Sequence, residues 1–184
     1  MARARDLTQK GLSREALRRL VAKGELERGA RGVYLSSESA QSEHRDLLIV
    51  ATRVPDAVVC LLSALSFHQL TDEMPHAVWI AIALKARAPV IDTVPLRVIR
   101  LSEAPLSAGV ERHEMHGVSI RVFSPAKTVA DCFKFRNKVG IDVAVAALRE
   151  GWRRKRFTID ELSHFARICR VSAVMQPYLE AVVA

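Results

Sequence analysis

The side chains in this sequence best suited to chemistry are cations. Arg14, Arg18 and Arg19, with Lys23 one turn further on, recur along one short amphipathic segment, and Arg28 and Arg31 follow on a glycine-containing one. Arginine reads guanine edges through two hydrogen bonds, and arginine or lysine pairs with phosphate. Cations spaced along a helix and the hairpin behind it suit a polyanion such as double-stranded DNA. The plainer reading is a solvated helix face. If about five of these cations meet phosphates, affinity for duplex DNA falls with salt at a log–log slope of about −4 to −5.

A second basic cluster, Arg153-Arg154-Lys155-Arg156, follows Trp152, and Lys127, Lys134, Arg136 and Lys138 lie earlier in the chain. It reads either as a second nucleic-acid contact, with Trp152 stacked on a base, or as a solvated loop between helices. The loop is the preferred reading.

The six histidines are less productive. His113 and His116 stand three apart around Glu114. On a helix that spacing would put two metal ligands on one face, but the surroundings read as a turn before a strand and no third ligand is adjacent. His68 follows Ser63 and Ser66, but no glycine elbow or oxyanion-hole pattern accompanies them. Ser63 is expected to cap a helix, and His68 to pair with Asp72 at i, i+4. A nuclease needs carboxylates gathered on a metal with a lysine close by. Lys127 and Asp131 come nearest, and a salt bridge at i, i+4 explains them. There is no phosphate-cradling Gly-x-x-x-x-Gly-Lys loop. No catalytic residue, cofactor or metal is expected, and a nuclease-like enzyme remains the rival reading.

The elements that carry these residues follow from periodicity and caps. Residues 2–10 form a short helix that stops at Gly11. Ser13 caps a second helix, in which Ala16, Leu17, Leu20 and Val21 share one face and Gly24 supplies the left-handed stop. Residues 25–35 alternate around a glycine turn as a hairpin. Helix, turn, helix and basic hairpin make a winged helix-turn-helix, its second helix in the major groove. Residues 36–44 are polar and read as a linker or helix start. Helices are expected over 43–53, 64–70, 124–135 and 141–152, and strands over 57–60, 78–84, 96–101 and 118–123. Thr158 and Glu161 form a capping box, and Pro177 opens a last short helix.

Composition bounds the rest. The chain has 184 residues, 49% of them hydrophobic, a net charge of +8 and a pI near 9.9. Such a chain buries a core, which excludes wholesale disorder. Residues 1–35 hold nine basic and four acidic side chains, more than half of the excess charge. A small basic module, 1–35, ahead of a nearly balanced domain, 36–184, is the expected organisation, and the fold class is α+β. No apolar run is long enough to span a membrane. Cys60, Cys132 and Cys169 are far apart and form no CxxC pair, so buried reduced thiols in the cytoplasm are expected.

Three blocks carry a resemblance. The first is Arg3-x-Arg5-Asp6-Leu7, Gly11-x-Ser13-Arg14, Leu17-x-Arg19-Leu20, Gly24-x-Leu26-x-Arg28 and Arg31-Gly32-x-Tyr34. The second is Ser63-Ala64-Leu65-Ser66-Phe67-His68-x-Leu70-Thr71-Asp72. The third is Ser124-Pro125-Ala126-Lys127-Thr128-Val129-Ala130-Asp131-Cys132-Phe133. In this order they resemble the AbiEi-type antitoxins, the regulator partners of type IV toxin–antitoxin systems. The resemblance implies a winged helix that binds inverted repeats in its own promoter as an autorepressor. It also implies a C-terminal domain that counteracts a nucleotidyltransferase-like toxin, opposing its effect rather than masking it. In that family another helix precedes the position of Arg3; here the chain begins there. A late start-codon assignment or a reduced winged helix would explain this, and the reduced form leaves open an antitoxin that no longer binds DNA.

Overall fold

The computed structural model describes residues 1–9 and 11–183; Lys10, the last residue of the helix expected over 2–10, lies outside the described residues. The chain opens with strand β1 (Ala2–Arg3), helices α1 (Ala4–Gln9) and α2 (Arg14–Ala22), and strands β2 (Leu26–Ala30) and β3 (Val33–Ser36). These strands form an antiparallel sheet in the order β1-β3-β2. The Ser13 hydroxyl accepts from the Ala16 amide and so caps α2. Gly24 ends the helix at φ +75°, a conformation that costs a residue without Cβ nothing.

The rest of the chain builds a mixed five-stranded sheet and a set of helices. Helices α3 (Ser37–Ala40) and α4 (Arg45–Arg53) lead to β4 (Val58–Val59), α5 (Leu61–Phe67), β5 (Val78–Ala83), β6 (Leu96–Leu101) and α6 (Glu103–Ser107). The hairpin β7 (Val110–Met115) and β8 (Val118–Phe123) follows. Five helices close the chain: α7 (Pro125–Lys134), α8 (Arg136–Val139), α9 (Ile141–Arg153), α10 (Ile159–Cys169) and α11 (Ser172–Val183). The strand order is β6-β5-β4-β8-β7, with β5·β6 and β4·β8 parallel and the other two pairs antiparallel.

Alternation along the strands makes this sheet the middle of three layers. Val58, Trp79, Ala81, Ile99, Leu101 and Phe123 pack against the side formed by α5, α7 and α9 to α11. Val59, Val78, Ile80, Ile82, Ile120 and Val122 pack on the opposite side, where α4 brings Leu47, Leu48, Ile49 and Val50. Ala30, Val33 and Leu35 of the N-terminal hairpin join that second cluster. The basic N-terminal segment is therefore seated on the body of the protein by a shared apolar core.

Several expectations are corrected. Residues 2 and 3 are a strand, because their backbone pairs with Val33 and Tyr34. Of the two readings of 36–44, linker or helix start, the second holds for helix α3, capped by the Ser36 hydroxyl. Helix α5 starts at Leu61, so Ser63 lies inside it and does not cap it; its hydroxyl instead accepts from the Trp79 amide at 2.9 Å. Residues 110–115 are strand, not turn, and pair with β8 along its whole length. Pro177 sits within α11 rather than opening it. That helix survives because Met175 is fully buried and Val174, Tyr178, Leu179 and Val182 pack on the core, which offsets one missing backbone bond. Among the described residues no helix is long and apolar enough to cross a membrane.

Candidate nucleic-acid interface

Helix α2 turns one narrow stripe inward. Leu17 is buried, Ala16, Leu20 and Val21 are half-buried, and the other residues of the helix are exposed. Arg14, Arg18, Arg19 and Lys23 are all exposed. On the β2–β3 hairpin, Arg28 is exposed opposite Tyr34, and Arg31 is exposed at the turn. None of these six cations forms an ion pair among the described residues. Six unpaired cations on two consecutive elements make a field that attracts phosphate. Glu15, also exposed on α2, is a carboxylate amid these cations that the charge pattern did not single out. Position alone suits it to the helix's first turn, where a negative charge meets the positive end of the helix dipole.

The hairpin is held rigidly. The Arg53 guanidinium donates to the carbonyl of Arg31 at 3.1 Å, and the Thr93 hydroxyl donates to that of Gly29 at 2.6 Å. Arg45 reaches Glu27 at 2.8 Å. Arg3 donates to the carbonyl of Thr52 at 2.6 Å, which fixes β1. Arg53, Thr93 and Arg45 thus support the hairpin that carries Arg28 and Arg31. Only the folded chain brings them there, so periodicity gave no signal for them.

The second basic cluster divides into two pairs. Arg153 makes two bonds to Glu150, at 2.9 and 2.6 Å, and Arg154 bonds the same carboxylate. These hydrogen bonds, the one from Arg153 first, hold the Glu150 carboxyl down to about 2. Lys155 and Arg156 are exposed and without ion-pair partners among the described residues.

The remaining sequence candidates make contacts within the fold. His68 is buried, and its Nε2 lies 2.7 Å from the carbonyl of Phe123, so it does not pair with Asp72. Burial lowers its pKa below the usual histidine value. His113 lies on β7, 3.2 Å from Glu111, while His116 sits in the turn that follows, 3.5 Å from Glu38. Among the described residues no group of three His, Cys, Asp or Glu side chains is arranged to hold a metal. Lys127 and Asp131 do pair, at 2.5 Å, but deep in the core rather than on a surface. The Cys169 thiol donates to the other Asp131 oxygen at 3.1 Å, and the Lys127 ammonium lies 4.0 Å from the centre of the Phe123 ring. Burial pushes the Asp131 carboxyl up, against the pull of Lys127. A pair with no solvent access has no route to a substrate. Cys60, Cys132 and Cys169 are all buried free thiols.

No curated protein matches the chain. The second and third resembling blocks, at 63–72 and 124–133, lie outside the segment that a family model matches. That segment is residues 1–37, which hold all six cations of α2 and the hairpin, and it matches the family described as transcriptional regulator, AbiEi antitoxin.

Proposed function

We propose that this chain is an antitoxin and transcriptional autorepressor of a type IV toxin–antitoxin pair, with residues 1–35 as a winged-helix DNA-binding module carried on residues 36–184. The observation that carries the reading is the unpaired cationic face of α2 and the hairpin, on the segment that matches a regulator family. Helix α2 lies in the major groove with Arg14, Arg18 and Arg19 toward base edges and phosphates, and Arg28 and Arg31 ride on the wing. The order β1-β3-β2 with the two helices inserted after β1 is the arrangement a wing requires. Inverted repeats in the promoter take two copies of the protein. Residues 36–184 do the antitoxin work against a nucleotidyltransferase-like toxin in the cytoplasm, without catalysis of their own.

A reporter driven by the DNA upstream of this gene tests the reading. The parent protein represses it, and Arg14→Ala with Arg18→Ala relieves repression while rescue from a co-expressed nucleotidyltransferase-like toxin persists. A parent protein that leaves the reporter at full expression contradicts the autorepressor role. Magnesium-dependent cleavage of nucleic acid by the parent protein, abolished by chelation, would instead favour a nuclease.

A further inference from the structure

The turn between α9 and α10 encloses a surface hollow of about 550 Å3, lined by Trp152, Arg153, Lys155, Phe157, Thr158 and Ile159. Its floor is apolar and aromatic and its rim is cationic. A volume of this size is within the range of small-ligand sites. Three features show how it is built. Phe157 is buried, and its ring lies so close to the backbone of α9 that a Cβ on Gly151 would stand 2.2 Å from Cε1. Glycine inside a helix is a weak helix former, and here it lets the ring form the floor beside Trp152. Lys155 holds φ at +52°, a left-handed conformation that disfavours residues with a side chain. Glu150 binds Arg153 and Arg154, which leaves Lys155, on the lining, and Arg156, next to it on the turn but outside the lining, without ion-pair partners among the described residues.

We infer that this hollow binds a single-stranded nucleic acid, with one base against Trp152 and the adjoining phosphates on Lys155 and Arg156. An aromatic platform beside unpaired cations is the arrangement that holds unpaired bases, because every base has a face to stack while the backbone is uniformly anionic. A duplex keeps its bases stacked on one another and offers none to Trp152. Lys155 takes its left-handed conformation where α9 ends, its amide and that of Arg156 donating back to the carbonyls of Trp152 and Gly151 at 3.0 and 2.9 Å. This site does not depend on the DNA reading of α2 and the hairpin.

Trp152 is itself the reporter. The other tryptophan, Trp79, is buried in the core, so quenching on titration comes from Trp152. The probe is an RNA of about a dozen nucleotides, compared with single-stranded DNA of the same sequence, its duplex, a mononucleotide and an acidic peptide of equal charge. The expected result is saturable quenching by both single strands and none by the duplex or the peptide. The mononucleotide binds at least about tenfold more weakly, because it lacks the neighbouring phosphates. Lys155→Gly with Arg156→Ala weakens binding about tenfold or more. That variant keeps its fold, with a Tm no lower than the parent's, because glycine accepts the left-handed turn. Trp152→Phe abolishes the quenching while Trp79 emission marks an intact core. Oligonucleotide that changes anisotropy but leaves Trp152 emission unaltered is bound elsewhere and overturns the proposal. So do equal quenching by the acidic peptide and an affinity unchanged in Lys155→Gly with Arg156→Ala.

Discussion

Replacing Lys127 with Met removes one half of an ion pair that has no water to fall back on. Both side chains are at most 1% exposed. The Asp131 carboxylate would keep only the Cys169 thiol as a hydrogen-bond donor. Breaking a buried pair from one side costs about 3–5 kcal/mol, because the remaining charge stays desolvated. For a chain of this length that is about 6–20 °C in Tm. Removing both charges, Lys127→Met with Asp131→Leu, leaves a well-packed apolar site and should lie within about 2 kcal/mol of the parent. The two single losses are therefore strongly non-additive. Urea denaturation followed by circular dichroism on all four proteins measures the coupling. The Lys127→Met deficit should also shrink as pH falls, since protonating Asp131 discharges the orphan. Additive losses, or a Lys127→Met protein as stable as its parent, would refute a pair that spans the core.

Three further outcomes follow from particular contacts. Burial holds His68 below the usual histidine value, so the unfolded chain takes up its proton first as pH drops below about 6.5. The His68 contribution is present above that pH and lost as pH falls through it. His68→Gln keeps a donor for the Phe123 carbonyl and should flatten the fall in Tm between about pH 7 and about pH 5; an unchanged curve contradicts this. Gly29→Ala places a Cβ 2.4 Å from Leu35 Cδ1 and 3.1 Å from Ile49 Cδ1, both fully buried. It should cost about 1–3 kcal/mol in a urea melt, and a neutral result would mean that the hairpin is not tightly seated on α4. Thr158→Ala removes the hydroxyl that accepts from the Glu161 amide at 3.2 Å and leaves the Thr158 amide's bond to the Glu161 carboxylate, at 2.8 Å. A loss of about 0.5–2 kcal/mol is expected, and no loss would show that packing alone holds α10 in place.

Strong local patterns were legible and non-local ones were not. Strands Leu96–Leu101 and Val118–Phe123 begin and end where alternation placed them, and Ser13, Ser124 and Thr158 each cap the helix that follows. Strand β7, Val-Glu-Arg-His-Glu-Met, escaped because an edge strand carries charge where an interior strand carries apolar residues. Strand β1 has two residues and exists only through pairing with β3. Pro177 misled because local propensity counts against it, while the packing of its neighbours outweighs that cost. Lys127–Asp131 was read correctly as a pair, but its burial depends on Phe123 and Cys169, which are distant or unmarked in sequence. The six cations of α2 and the hairpin were visible as a charge pattern, whereas the supports from Arg53, Thr93 and Arg45 arise only on folding.

The central claim is that the cations of α2 and the hairpin bind a particular duplex. Fluorescence anisotropy tests it, with the DNA upstream of this gene, a scrambled duplex of equal length and several salt concentrations. The expected result is a preference for the native duplex of about tenfold or more, or about 1.4 kcal/mol, with a log–log salt slope of about −4 to −5. Arg14→Ala, Arg18→Ala and Arg19→Ala together should make that slope shallower by about 3. Equal binding to both duplexes, with a slope unchanged by the three substitutions, would contradict the claim.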